Sequence, residues 1–162
     1  ESNIISYVDA GQTTFSAGDA YSIMTWLKPS DVASNGFLGF NGNHYLYILN
    51  STSFRVYHTG NHVTFTVENG AGAALAADAW VHVAFVRNTS NLISCYVNGV
   101  LNGGAATDTE TLAQDFSYQY IGGKHTTDVF RGVVDDMAVY NTELIDTQVL
   151  RNYKAGKGRH RN

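Results

Sequence analysis

Between residues 21 and 140 no apolar segment carries the 3.6-residue period of an amphipathic helix. The segments are short, rich in β-branched and aromatic side chains, and separated by polar turns that contain Gly or Asn. "YSIMTWL" (21–27) is closed by Pro29, and "GFLGF" (36–40), "HYLYIL" (44–49) and "SFRVYH" (53–58) follow it. "HVTFTV" (62–67) alternates cleanly and is joined to the preceding segment through "TGN", a hairpin signal. "WVHVAFVR" (80–87), "LISCYV" (92–97), 118–121 and 130–140 complete a set of about ten strands. With no helix between them, parallel β-α-β units are excluded and an antiparallel β-sandwich is expected.

The one helical pattern comes late. Val149, Leu150 and Tyr153 form an apolar stripe, Asp146 precedes it as a cap and Gly156 follows it as a stop. So short a helix is unstable alone and must pack on the sandwich. The 162 residues match one domain, and 44% of them are hydrophobic, enough for a core. No run of apolar residues is long enough for a membrane span. The opening lacks the charged-then-apolar order of a signal peptide, which leaves release from a longer precursor open. A single cysteine, Cys95, forbids an intrachain disulfide, and its alternation with Ile93 and Val97 reads as a buried small hydrophobe.

Charge is unevenly placed. Five of the ten basic residues (Arg151, Lys154, Lys157, Arg159, Arg161) lie in the last twelve positions, which hold no acid. The preceding 150 residues carry five basic and fourteen acidic side chains, a net of −9. Such a body repels phosphate, so nucleic acid is not an expected partner. The basic end (157–162) reads either as a solvated tail after a domain spanning 1–156, or as an arm that docks on an acidic neighbour such as a sister copy.

Five stretches, "YSIMTWLKP", "AADAWVHVAFVRN", "CYVNGVLNG", "YIGG" and "FRGVVDDMAVYNTEL", resemble in order and spacing the laminin-G-like jelly rolls of the concanavalin A-like lectin superfamily, over about residues 7–156. The ending "VLRNYKAGKGRH" is similar to the tails of such domains in virion structural proteins of tailed phages. The opening departs from the family, because "ESNIISYV" lacks the aspartate of the usual Asp-Gly-x-x-Asp-Tyr-Val start. The resemblance implies an all-β jelly roll of one convex and one concave sheet with a short C-terminal helix. It also implies ligand binding, often of sugars, on the concave sheet or rim loops, and in many members a structural calcium ion.

On that frame Asp135 is the expected calcium ligand, with the opening strand around Tyr7 to Gly11, and Asp9 in it, as its neighbour. Strand alternation puts Asp135 with Val133, Met137 and Val139, and Asp136 with Val134, Ala138 and Tyr140, so at least one carboxylate is expected to face a core. A carboxylate there must bind metal, accept backbone N–H groups or pair with Arg131 or Arg87. For the sugar, Tyr45, Tyr47, Arg55, Tyr57, His58, Tyr118, Tyr120 and His125 are the candidates: rings to stack on C–H patches, and polar groups for hydroxyls. The same tyrosines also suit a sandwich core. His58 and His62 flank a turn, where they serve a cross-strand metal pair or rim hydrogen bonding, and His82 reads as a core histidine. Glucanases of the superfamily need a Glu-x-Asp-x-x-Glu strand, and none of Glu1, Glu68, Glu110 and Glu143 sits in one. The expected function is a non-catalytic glycan-binding or adhesion module, extracellular or on a virion surface. The alternative is a capsid decoration protein assembled on a virion shell or on sister copies.

Overall fold

A computed structural model describes residues 7–33, 35–40, 44–58, 61–66, 75–102, 115–123 and 130–161. The strands are β1 (Val8–Phe15), β2 (Tyr21–Pro29), β3 (Asn35–Phe40), β4 (His44–Asn50), β5 (Ser53–His58), β6 (Asn61–Thr66), β7 (Val81–Arg87), β8 (Ile93–Val97), β9 (Val100–Leu101), β10 (Phe116–Ile121) and β11 (Gly132–Tyr140), and they are followed by helix α1 (Asp146–Lys157). They form a six-stranded sheet in the order β1-β10-β3-β4-β5-β6 and a five-stranded sheet in the order β11-β2-β7-β8-β9. Every pairing in both sheets is antiparallel. This is the expected jelly-roll sandwich. No helix among the described residues is long and apolar enough to cross a membrane.

The inner faces of the two sheets share one core, in which Phe37, Leu46, Phe54, Val56, Val83 and Phe85 are fully buried. A second, smaller core lies on the outer face of the five-stranded sheet, where Met24, Ala84, Val86 and Tyr96 meet Leu144 and Val149. Its presence explains why β2 and β7 are buried at nearly every position. Their even-numbered side chains pack under α1 and their odd-numbered ones fill the sandwich, so both faces must be apolar. The molecule therefore has three layers: sheet, sheet, helix.

Helix α1 differs in detail from the sequence reading. Asp146 is its first residue rather than its cap, and it accepts a 2.7 Å hydrogen bond from the Tyr96 hydroxyl. The Ile145 N–H donates instead to Gln148 Oε1 at 3.0 Å. The helix also runs through Gly156 to Lys157, so the expected boundary between 156 and 157 falls inside it. Beyond it, residues 159 and 160 bond back to the body of their own chain.

Candidate functional site

In β4 and β5, Leu46, Ile48, Phe54 and Val56 are fully buried in the sandwich. Alternation sends Tyr45, Tyr47, Arg55 and Tyr57 to the outer face of the six-stranded sheet. Register then lines them up. Asp9 stands opposite Tyr120, Tyr120 opposite Gly39, Gly39 opposite Tyr45, Tyr45 opposite Tyr57, and Tyr57 opposite His62. Residues directly opposite share a face, so one row crosses all six strands.

The Tyr45 and Tyr57 rings stack, with centroids 4.6 Å apart and planes 12° apart. Tyr57 and His62 continue the stack at 6.4 Å and 5°. On the far side Tyr120 meets Tyr7 edge-on at 5.0 Å. Between the two groups lies Gly39, which contributes no side chain. A gap two strand spacings wide, about 10 Å, thus separates Tyr120 from Tyr45. A parallel row sets Gly36 opposite Tyr47, Tyr47 opposite Arg55 and Arg55 opposite Thr64. Arg55 Nε donates to Thr64 Oγ1 at 2.9 Å, and its guanidinium carbon sits 5.7 Å from the Tyr47 ring. An irregularity in β3 between Gly36 and Leu38 turns both Phe37 and Leu38 into the core. Both outward positions of that strand are glycines, and both are buried, so β3 lies beneath its surroundings and the exposed part of the row is the Tyr45–Tyr57–His62 side.

The expected sugar-contacting residues divide on this evidence of position. Tyr45, Tyr57, Arg55 and Tyr120 lie on the outer face. Tyr47 lies there too, but it is buried beneath its neighbours, so it supports the surface rather than presenting a ring. Tyr118 does not join them. It packs on the sandwich core, 6.3 Å from Phe15, because the β1–β10 ladder slips between Asp9 and Thr13 and the two tyrosines of β10 do not share a face. His58 stands opposite Asn61 and His62 opposite Tyr57, so of the two readings offered for these histidines the cross-strand metal pair is not formed. His125 lies outside the described residues, as do most of two polar, Gly-containing segments that read as recognition loops, "NGNH" (41–44) and "GGKHTTD" (122–128). The outward glycines were missed in sequence, although "NGFLGF" carries them on either side of two core residues.

The aspartate pair departs from expectation. A bulge between Asp135 and Ala138 puts one extra residue in β11, and Asp136 takes φ +48°. Strict alternation ends there. Val134, Met137 and Val139 face the sandwich core, while both carboxylates stay solvent-accessible, with side chains 55% and 37% exposed. Neither faces a core. Both meet the C-terminal segment instead. Arg159 donates to Asp136 Oδ2. Asp135 Oδ1 accepts the Asp136 N–H at 2.8 Å, and Asp135 Oδ2 lies 3.0 Å from His160 Nε2. The His160 bond and then the Asp136 N–H hold the Asp135 carboxyl below its usual range.

These residues do not fit a calcium ion. The oxygens that would bind it are engaged by the chain's own cation, imidazole and amide. Asp9 belongs to the other sheet, where it accepts from the Gly11 N–H and from Gln119. Calcium takes six to eight oxygens, and among the described residues no three His, Cys, Asp or Glu side chains gather as a metal would need. We expect the melting temperature to be the same in calcium and in chelator. A bound ion at a hundred times its Kd would add about 2.7 kcal/mol, a rise of several degrees, and such a rise would refute this reading.

Comparison with known proteins agrees with the architecture. The family model for laminin-G-type domains, described as the concanavalin A-like lectin/glucanases superfamily, matches residues 3–150. No curated protein sequence matches the chain. Among solved structures, the native heptameric pentraxin from Limulus polyphemus superposes with a TM-score of 0.64 at 13% identity, over 94% of this chain and 80% of that one. Domain 4 of the extracellular arabinanase AbnA from Geobacillus stearothermophilus, in complex with arabinotriose, gives 0.60 at 20%, over 94% and 82%. A structure of botulinum neurotoxin type C, whose cell entry is described as dependent on interaction with two ganglioside molecules, gives 0.57 at 14%, over 86% of this chain but 36% of that one. At these identities the likeness is one of fold.

Proposed function

The chain belongs to the concanavalin A-like lectin/glucanases superfamily, and from that premise we propose that it is a non-catalytic glycan-binding module acting outside the cell, with its sugar site on the outer face of the six-stranded sheet. The observation that carries the reading is the row Tyr120–Gly39–Tyr45–Tyr57–His62. A sugar ring laid over the Tyr45–Tyr57 pair would set its C–H face against those rings, with Arg55 and His62 beside them to reach its hydroxyls. The arabinotriose complex and the ganglioside-linked structure, which share this fold, support a sugar as the ligand class. The virion reading draws less support, because Arg159 and His160, two groups a docking arm would use, bond to their own chain.

Catalysis is not part of the proposal. A retaining glycosidase holds two carboxyls roughly 5–5.5 Å apart. The adjacent aspartates of β11 are instead tied to Arg159 and His160.

The test is a titration with neutral oligosaccharides, arabinotriose first, followed by calorimetry. Tyr45→Ala and Tyr57→Ala should each weaken binding about tenfold, the loss of one stacking contact of roughly 1.4 kcal/mol. Binding that both variants leave intact would move the site off this face.

A further inference from the structure

The opposite side of the sandwich holds a concavity of about 690 Å³, between the end of the five-stranded sheet and the C-terminal segment. Trp26, Trp80 and Tyr153 line it, together with Lys154, Lys157 and Arg161. We propose that this cavity binds an acidic sugar, one that carries a carboxylate or sulfate on its ring. The proposal is independent of the tyrosine row, which lies on the other sheet.

His160 builds the cavity. Its ring stacks on Trp26 at 4.4 Å and 10°, takes the edge contact of Trp80 at 4.5 Å, and is anchored through Gly156 O at 2.9 Å and Asp135 at 3.0 Å. The segment 158–161 is thereby held over the sheet, and Arg161 is brought to the cavity lining. Trp26 is covered by this packing, while Trp80 and Tyr153 stay half-buried as the aromatic walls. The Lys157 ammonium stands 5.5 Å from the Tyr153 ring centroid, beside the surface on which a sugar ring would lie.

Charge selects the class of ligand. Among the described residues, no carboxylate lines the cavity. Asp135 and Asp136 of β11, which meet the docked segment, are bonded to His160 and Arg159. Residues 1–150 carry a net of −9, so an anion is repelled by most of the molecule and attracted here. Lys154 and Lys157 also suit the negative end of a helix dipole, but Arg161 lies past the helix and has no such role. Exposed cations beside half-buried rings, with the Asn98 amide also in the lining, match an anionic group, a C–H face and hydroxyls on one ligand.

The two tryptophans of the sequence both line this cavity, so tryptophan emission reports on it and not on the tyrosine row. The experiment titrates the full chain with trigalacturonate and follows that emission. We expect a saturable change that weakens in about 0.5 M sodium chloride and falls about tenfold in affinity when Lys154→Ala and Lys157→Ala are combined. Both lysines are exposed, and a melting curve checks that the variant is folded. Tyr45→Ala should leave the response unchanged, which separates this site from the proposed neutral-sugar site. Silence up to about 10 mM, an equal response to the methyl ester, or indifference to loss of the lysines would overturn the proposal. Tighter binding of poly-glutamate or of adenosine monophosphate would overturn the assignment to a sugar.

Discussion

Replacing Gly156 by alanine is expected to destabilise the protein, although the same change inside a helix ordinarily stabilises it by about 1 kcal/mol. A Cβ built at Gly156 would lie 2.3 Å from Trp26 Nε1 and 3.0 Å from the ring carbon Cε2. The indole cannot yield. It is 3% exposed and stacked against both His160, at 4.4 Å, and Tyr153, at 5.5 Å. The last turn of α1 must therefore lift away from β2. Overpacking of this kind costs about 1–3 kcal/mol. Lifting the turn also strains the Gly156–His160 contact and, through it, the bond to Asp135. We expect a net loss of about 3 kcal/mol, a drop in melting temperature of roughly 6–12 °C at this chain length. Tryptophan emission should shift to longer wavelength as water reaches Trp26 and Trp80. Gly158→Ala is the control, because its added Cβ meets nothing within 4 Å. If the two variants melt alike, the close approach of helix and indole is not what holds the C-terminal segment.

Gly156 also shows where a one-dimensional reading stops. A glycine after an apolar stripe reads as a helix end, yet here it is a point of contact with a residue 130 positions earlier. The same limit applies to the aspartates. Alternation along 130–140 predicts inward carboxylates, and nothing local announces the bulge, because aspartate tolerates the left-handed conformation that Asp136 adopts. His160 sits in a run of basic residues that reads as solvated, while its partners Trp26, Trp80 and Asp135 lie far away in sequence. Where neighbours along the chain decide the outcome, the sequence was legible. The hairpin from β5 to β6 and the clean period of "HVTFTV" settle which side of β6 faces the core. The outer face of Tyr45 and Tyr57 follows from Leu46 and Val56 being core residues. The row itself did not follow, since it needs β10 to pair with β3 across more than seventy residues of chain. β1 was reached only through the family resemblance, as the opening strand around Tyr7 to Gly11, and its own pattern does not announce it. It is an edge strand with one buried residue in eight, so it carries little apolar pattern.

Acidification between pH 6.5 and 4 is expected to destabilise the protein by about 3 kcal/mol through His82 alone. The side chain lies under α1, opposite Trp26 across the β2–β7 ladder, and is 2% exposed. Its ring meets Trp26 at 5.3 Å and Tyr153 at 5.8 Å, and Nδ1 has no hydrogen-bond partner among the described residues. Burial, and then repulsion from His160, push its pKa down from 6.5 to about 4, with Asp136 pulling part of the way back. The folded pKa is thus below the unfolded one. Between the two values the unfolded chain binds a proton that the folded chain refuses, so stability falls as pH falls through this window and levels off below it. Denaturant titrations at several pH values should show that slope. His82→Phe keeps an aromatic ring against Trp26, removes the orphaned nitrogen and removes the titration. The variant should be more stable than the parent at neutral pH, where the unpaired nitrogen costs about 1–3 kcal/mol, and its advantage should grow as the medium is acidified to pH 4. His44, whose pKa burial also lowers, remains in both proteins and cancels in the difference. Two stability curves that run parallel from pH 7 to pH 4 would show that His82 takes up its proton as freely folded as unfolded, which its position between a β-sheet and a docked helix does not permit.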